Sequence, residues 1–232
     1  MRPTLFVVLV LGCGGDDGNK MVDAPPNVPA MITVTGTASK RELTTMSAAA
    51  GATIGAYKNG ADATPVVTTT ADASGNYTLV IPTMGQALDG YIKATLTGVV
   101  DTYLYPAKPL TADFSGASIN MASSQTLDAL FPFCQTSQDS SKTIMAALVA
   151  DAGMTAIAGA TVTSTPAASK YCYQAGTYPS GSATMTDANG IVFMLNTPPG
   201  QVTVSASKPG STFASHDVNA RAGALTTTII QP

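Results

Sequence analysis

The chain has 232 residues, of which 45% are hydrophobic and only 11% charged, with a net charge of −3 at pH 7. So few basic groups argue against nucleic acid as a partner, because its binding needs Lys and Arg to displace counterions. No internal span approaches the roughly 20 apolar residues of a membrane-crossing helix, and solvation of the surface falls to Thr, Ser, Asn and Gln.

The first elements are a leader and a tether. Arg2 supplies a charge, Leu5 to Leu11 form a short apolar run, and Gly12-Cys13 closes it. That order describes a secretory signal over residues 1–12. Val10-Leu11-Gly12-Cys13 resembles the lipobox of bacterial lipoproteins. The resemblance implies lipidation of Cys13 as the first mature residue, and with it a membrane partner. The alternative is an ordinary cleaved signal that leaves Cys13 free. Gly14, in place of Asp, resembles the sorting pattern for the outer membrane, with the body facing the periplasm or the surface. Residues 13–30 read as a flexible polar tether, Gly-rich at first and stiffened by Pro25, Pro26 and Pro29. Asp16-Asp17-Gly18-Asn19 lacks the alternate spacing and distal Glu of a calcium loop.

Two repeats follow. The first, residues 31–122, holds Gly51-Ala52-Thr53-Ile54, then Asp72-Ala73-Ser74-Gly75, then Pro82-Thr83-Met84-Gly85. The second, residues 142–232, holds Gly159-Ala160-Thr161-Val162, then Asp187-Ala188-Asn189-Gly190, then Pro198-Pro199-Gly200. Period-two alternation, as in Tyr77, Leu79 and Ile81 or Val202, Val204 and Ala206, marks half-buried strands. The Asp-x-x-Gly corners place Gly where a tight turn needs positive φ. Strands are predicted near 31–37, 51–58, 66–71, 76–82, 89–97, 100–105 and 116–121 in the first repeat. In the second they fall near 143–151, 158–165, 182–187, 190–195, 201–207, 212–219 and 225–231. Residues 40–50 are an insertion. The segment 123–141 is a Ser-rich linker with a short helix over Thr126 to Phe131, Thr126 being its cap. The fold expected is all-β: two tandem antiparallel seven-stranded β-sandwiches with a short helical linker, each folding as a separate unit.

The Gly-Ala-apolar strand, the T-x-D-x-x-G turn and the P-x-G before an alternating strand resemble carboxypeptidase regulatory-like domains, small transthyretin-like β-sandwiches. The resemblance covers nearly all of both repeats. It implies accessory or binding modules with no peptidase activity.

Catalytic and metal-binding constellations are scarce. His216 is the only His, and Asp217 beside it in a strand points to the opposite face. No cofactor or metal is expected. Asp72 and Asp187 serve as turn caps ahead of a cation site. Cys134 and Cys172 form an even pair in an oxidising compartment and read as a disulfide, the alternative being two unpaired buried thiols. Tyr171, Tyr173 and Tyr178 surround Cys172 in what reads as a long loop, a candidate binding loop for carbohydrate or protein. Tyr103 and Tyr105, two apart on a strand, share a face and read as packing. The function expected is a non-enzymatic cell-envelope lipoprotein acting as a structural or interaction module. A carbohydrate-binding lipoprotein is the alternative.

Overall fold

The structure, a computed structural model, describes residues 27–43, 45–60 and 64–232. The leader, Cys13 and the tether up to residue 26 lie outside the described residues.

The first repeat forms β1 (Met31–Glu42), β2 (Thr45–Ala48), β3 (Thr53–Lys58), β4 (Val67–Thr70), β5 (Asn76–Pro82), β6 (Gly90–Thr95), β7 (Thr102–Tyr105), β8 (Phe114–Ser115) and β9 (Ile119–Ala122). Two short helices follow, α1 (Ser124–Asp128) and α2 (Leu130–Phe133). The second repeat forms β10 (Thr143–Val149), β11 (Thr161–Thr165), β12 (Lys170–Ala175), β13 (Tyr178–Ser180), β14 (Ile191–Thr197), β15 (Gly200–Ser207), β16 (His216–Ala220) and β17 (Leu225–Ile230). The all-β expectation holds.

Among the described residues a nine-stranded sheet runs through both repeats in the order β13-β12-β14-β10-β17-β7-β6-β3-β4. Its joint is the parallel pairing of β17 with β7, Leu225 opposite Thr102 through Thr228 opposite Tyr105. Two smaller sheets cover it. One centres on β1, flanked by β2, β5, β8 and β9; the other has the order β11-β15-β16.

The register shows that these covers lie on opposite faces. Ile54, Ile92 and Leu104 pack against Ile32, Val34, Leu79 and Ile119 of the β1 sheet. Tyr57 pairs with Tyr91 and Lys93 with Tyr103, each one residue out of phase with that core. These side chains therefore stand on the other face, in line with Thr226, Met145 and Met194. There Met145, Val192 and Met194 pack against Val162, Val202, Val204 and Val218 of the β11-β15-β16 sheet. Tyr91, Tyr103 and Tyr105 of the first repeat belong to this second core. A third cluster joins Leu127, Phe131 and Cys134 to Ile144, Cys172, Leu195 and Leu225, so α1 and α2 cover the second repeat's remaining face. Each large aliphatic side chain so buried contributes about 1.5–3 kcal/mol.

The Asp-x-x-Gly corners form as expected, with Gly75 at φ +81° and Gly190 at φ +69°. A side chain at either would also strike backbone, 2.3 Å from Ala38 O and 2.6 Å from Val149 O.

Several expectations need correction. Residues 170–175 are a strand, not part of a loop. Tyr173 faces one core and Cys172 another, so both faces are buried and no alternation marks the segment. Residues 182–187 are not a strand; Thr186 exchanges backbone bonds with Gly159 and Ala160, and Asp187 O accepts only the turn bond from Gly190. The 40–50 insertion contains β2, paired with the end of β1. The β1 sheet and the nine-stranded sheet are mixed, since β1 pairs with β8 and β9, and β17 with β10 and β7, in parallel, a direction that alternation does not encode; the β11-β15-β16 sheet is antiparallel as expected. The cap of α1 is Ser123, whose Oγ accepts from Thr126 N–H at 3.2 Å; Thr126 sits inside the helix.

Candidate functional site

Tyr171 and Tyr173 alternate with Cys172 on β12 and so point to the face opposite the disulfide. Val162 N–H donates to Tyr173 Oη at 2.9 Å, and Ser164 N–H donates to Tyr171 Oη at 2.9 Å. β11 lies at the edge of its sheet, so these amides have no strand to donate to, and the facing tyrosines take that place. Burial pushes the Tyr173 phenol above its usual pKa, so it stays protonated. Tyr173→Phe keeps the ring but strands the Val162 amide, an expected loss of about 1–3 kcal/mol. Urea unfolding of the variant checks this; an unchanged midpoint would remove the hydroxyl from the account.

Tyr178 behaves differently. It is 56% exposed and stacks on Phe133, itself 48% exposed, with centroids 5.5 Å apart and planes 7° from parallel. The pair is held from behind. Cys134 and Cys172 form the expected disulfide, their Cα atoms 5.5 Å apart. Gly181 N–H donates to Phe133 O at 3.0 Å, and Lys170 Nζ donates to Gly181 O at 2.8 Å. Sequence reading missed Phe133; its signal was adjacency to Cys134, whose partner lies in the β12–β13 hairpin.

The densest aromatic cluster sits where the repeats join. Tyr57 and Tyr91 stack at 5.3 Å, and Tyr91 meets Tyr105 at 5.0 Å and Tyr103 at 5.6 Å. Arg221, just beyond β16, lies 4.2 Å from the Tyr103 centroid and 4.8 Å from that of Tyr91. Its Nη1 donates to Tyr105 Oη at 2.9 Å and to Asn219 O at 2.8 Å. Lys93 adds an ion pair with Asp101 at 2.8 Å. The expected Tyr103–Tyr105 packing pair is present; Arg221 between the rings was not foreseen, because a turn residue's reach is invisible in sequence.

His216 and Asp217 do point apart. His216 Nε2 lies 2.6 Å from Thr228 Oγ1, and burial pushes its pKa down, leaving a neutral ring. Asp217 accepts from Gln201 and Thr203 on the other side. Asp72 accepts from the Ser74 and Asn76 amides at 2.8 Å each, and the Asn76 amide and carboxamide hold its carboxyl below the usual range. Burial opposes ionisation of Asp187, yet the Asn189 and Gly176 amides together hold its carboxyl low. Both are turn caps. Among the described residues no three His, Cys, Asp or Glu side chains gather as metal ligands, and no helix is long and apolar enough to cross a membrane.

The fold and these sites define a double β-sandwich built on one shared sheet. No family model and no curated protein matches the sequence. Similar solved structures include the shaft pilin SpaA of Lactobacillus rhamnosus GG, 12% identical, with 87% of this chain and 98% of that one covered and a TM-score of 0.27. The minor pilin GBS52 of Streptococcus agalactiae is 11% identical over 86% of this chain and 94% of that one, with a TM-score of 0.28. The Bacillus anthracis TIE protein is 12% identical over 86% of this chain, at a TM-score of 0.27; the match spans only 34% of its length. TM-scores this low transfer neither topology nor function.

Proposed function

We propose that the chain is a non-enzymatic cell-envelope lipoprotein, anchored through Cys13, whose two carboxypeptidase regulatory-like sandwiches (31–122 and 142–232) act as one structural or interaction module. The observation that carries this reading is the nine-stranded sheet spanning both repeats. Backbone pairing, the Arg221 cluster and the disulfide-tied linker turn two small sandwiches into a single stiff body. The titratable side chains described above serve that architecture, as turn caps, a buried neutral imidazole and edge or junction bonds. The leader supports an envelope location, and Gly14 favours the outer membrane, with the body periplasmic or surface-facing. Metabolic labelling with palmitate tests the anchor. The wild type is expected to take up label and Cys13→Ser none; label persisting in the variant would refute it.

A carbohydrate-binding lipoprotein is the second reading, favoured by the exposed Phe133–Tyr178 stack. A glycan array probed with the protein separates the two. Binding lost in Tyr178→Ala supports the second reading, and a blank array the first.

A further inference from the structure

The described chain begins clamped. Val28 is buried, the Thr83 hydroxyl donates to Pro29 O, and Thr83 N–H donates to Ala30 O at 3.0 Å. From Val28 onward the chain is therefore fixed against the turn that follows β5. Met84 stands on that turn and is 79% exposed.

Two further apolar side chains stand nearby. Met31 pairs with Pro82 and Thr33 with Val80, so Met31 and Val80 are diagonal neighbours on the outward face of the β1–β5 ladder. They are 49% and 48% exposed. The rest of that outward face carries Thr33, Thr35, Thr37, Asn76 and Thr78 and no charge. The carboxylate beside it, Asp113, accepts the Thr33 amide at 2.7 Å. An uncharged face with an apolar tip loses less on leaving water than a charged one, whose loss is several kcal/mol per group.

From this placement we infer that the Met31–Val80–Met84 tip is a lipid-contacting base, seated in the headgroup region of the bilayer that holds Cys13. The inference rests on the lipid-anchor reading. Only the 14 residues from Cys13 to Pro26 separate the acylated end from the clamped segment. A coil of that length has a mean span of about 20 Å. The anchor therefore keeps this end of the molecule beside the membrane at high effective concentration, while the β1–β2 hairpin projects from the other end of β1. Lipid contact here sets the orientation of the whole body and leaves Phe133, Tyr178 and the hairpin to solvent.

The sequence contains no Trp, so one introduced indole reports alone. The mature, lipidated full chain carrying Met84→Trp is reconstituted into phosphatidylcholine vesicles with brominated acyl chains. Fluorescence is expected to fall about two-fold, as for an indole roughly 5–10 Å into the interface. Met46→Trp, on β2 and 60% exposed in the wild type, is expected to keep its intensity. Vesicle-bound protein with neither indole quenched overturns the base and leaves the anchor standing. Equal quenching of both also overturns it, since the body then has no preferred end. Protein that fails to float with the vesicles overturns anchor and base together. A Met84→Trp signal that responds to protein density but not to bromine assigns the patch to a second copy of this chain and overturns lipid contact.

Discussion

Replacing Tyr91 by Ala is expected to destabilise both repeats at once, by about 3–5 kcal/mol, the range for truncating a buried aromatic ring. Tyr91 is only 4% exposed and lies on the first repeat's strand β6, yet it packs in the second repeat's core. Its removal opens space between Tyr57 and Tyr105 and takes one of two aromatic faces from Arg221. A desolvated cation–π contact contributes about 2 kcal/mol, and Arg221 would keep its partners Tyr103 and Tyr105. Amide hydrogen exchange locates the effect. Protection is expected to fall in β10 and β14 of the second repeat as well as in β3 and β6. If only the first repeat loses protection, the two sandwiches are energetically separate, as the sequence repeats alone would have them. By the same argument residues 124–232 produced alone should melt below the full chain, because β17 loses β7.

Removing the disulfide with Cys134→Ala and Cys172→Ala together is expected to cost about 4 kcal/mol. The bridge spans 38 residues, and closing a loop of that size restrains the unfolded chain by this amount in the entropy model. For a molecule of this size the melting temperature should drop by about 10 °C. Both sulfurs also lie in the cluster that fixes α2 on the sheet, so the helices should loosen first. Differential scanning calorimetry of the two proteins measures the drop; a shift of a degree or less would mean the packing of Phe131 and Leu127 alone secures the linker.

Much of this architecture is legible in the residues. Tyr77-Thr78-Leu79-Val80-Ile81 alternates because one face of β5 meets the core and the other meets solvent, and β5 falls where the pattern puts it. The Asp72 and Asp187 corners are legible because a carboxylate beside a positive-φ glycine has few other uses. What escapes the sequence is pairing across distance. Nothing in Leu225-Thr226-Thr227-Thr228 names Thr102 to Tyr105 as its neighbour, so the two repeats read as two separate sandwiches where one sheet runs through both. β12 escapes because burial on both faces erases alternation, which turned Tyr171 and Tyr173 from strand residues into apparent loop residues. Of the predicted binding loop only Tyr178 stands in solvent, and its partner Phe133 comes from the linker.

The tyrosine hydroxyls that occupy the free amides of β11 have a consequence for crowding. An uncapped strand edge recruits another chain's backbone, and the tendency grows with local density. Molecules held in two dimensions by an anchor meet one another far more often than in bulk solution. Tyr171 and Tyr173 close one such edge from within, and Pro179, which has no N–H to offer, interrupts the outer strand β13 at one end of the nine-stranded sheet. A charge-poor β protein of this kind has little electrostatic repulsion to keep its copies apart. At the β11 edge the backbone amides of Val162 and Ser164 are already occupied, and a single Tyr→Phe change at Tyr173 or Tyr171 would reopen one of them.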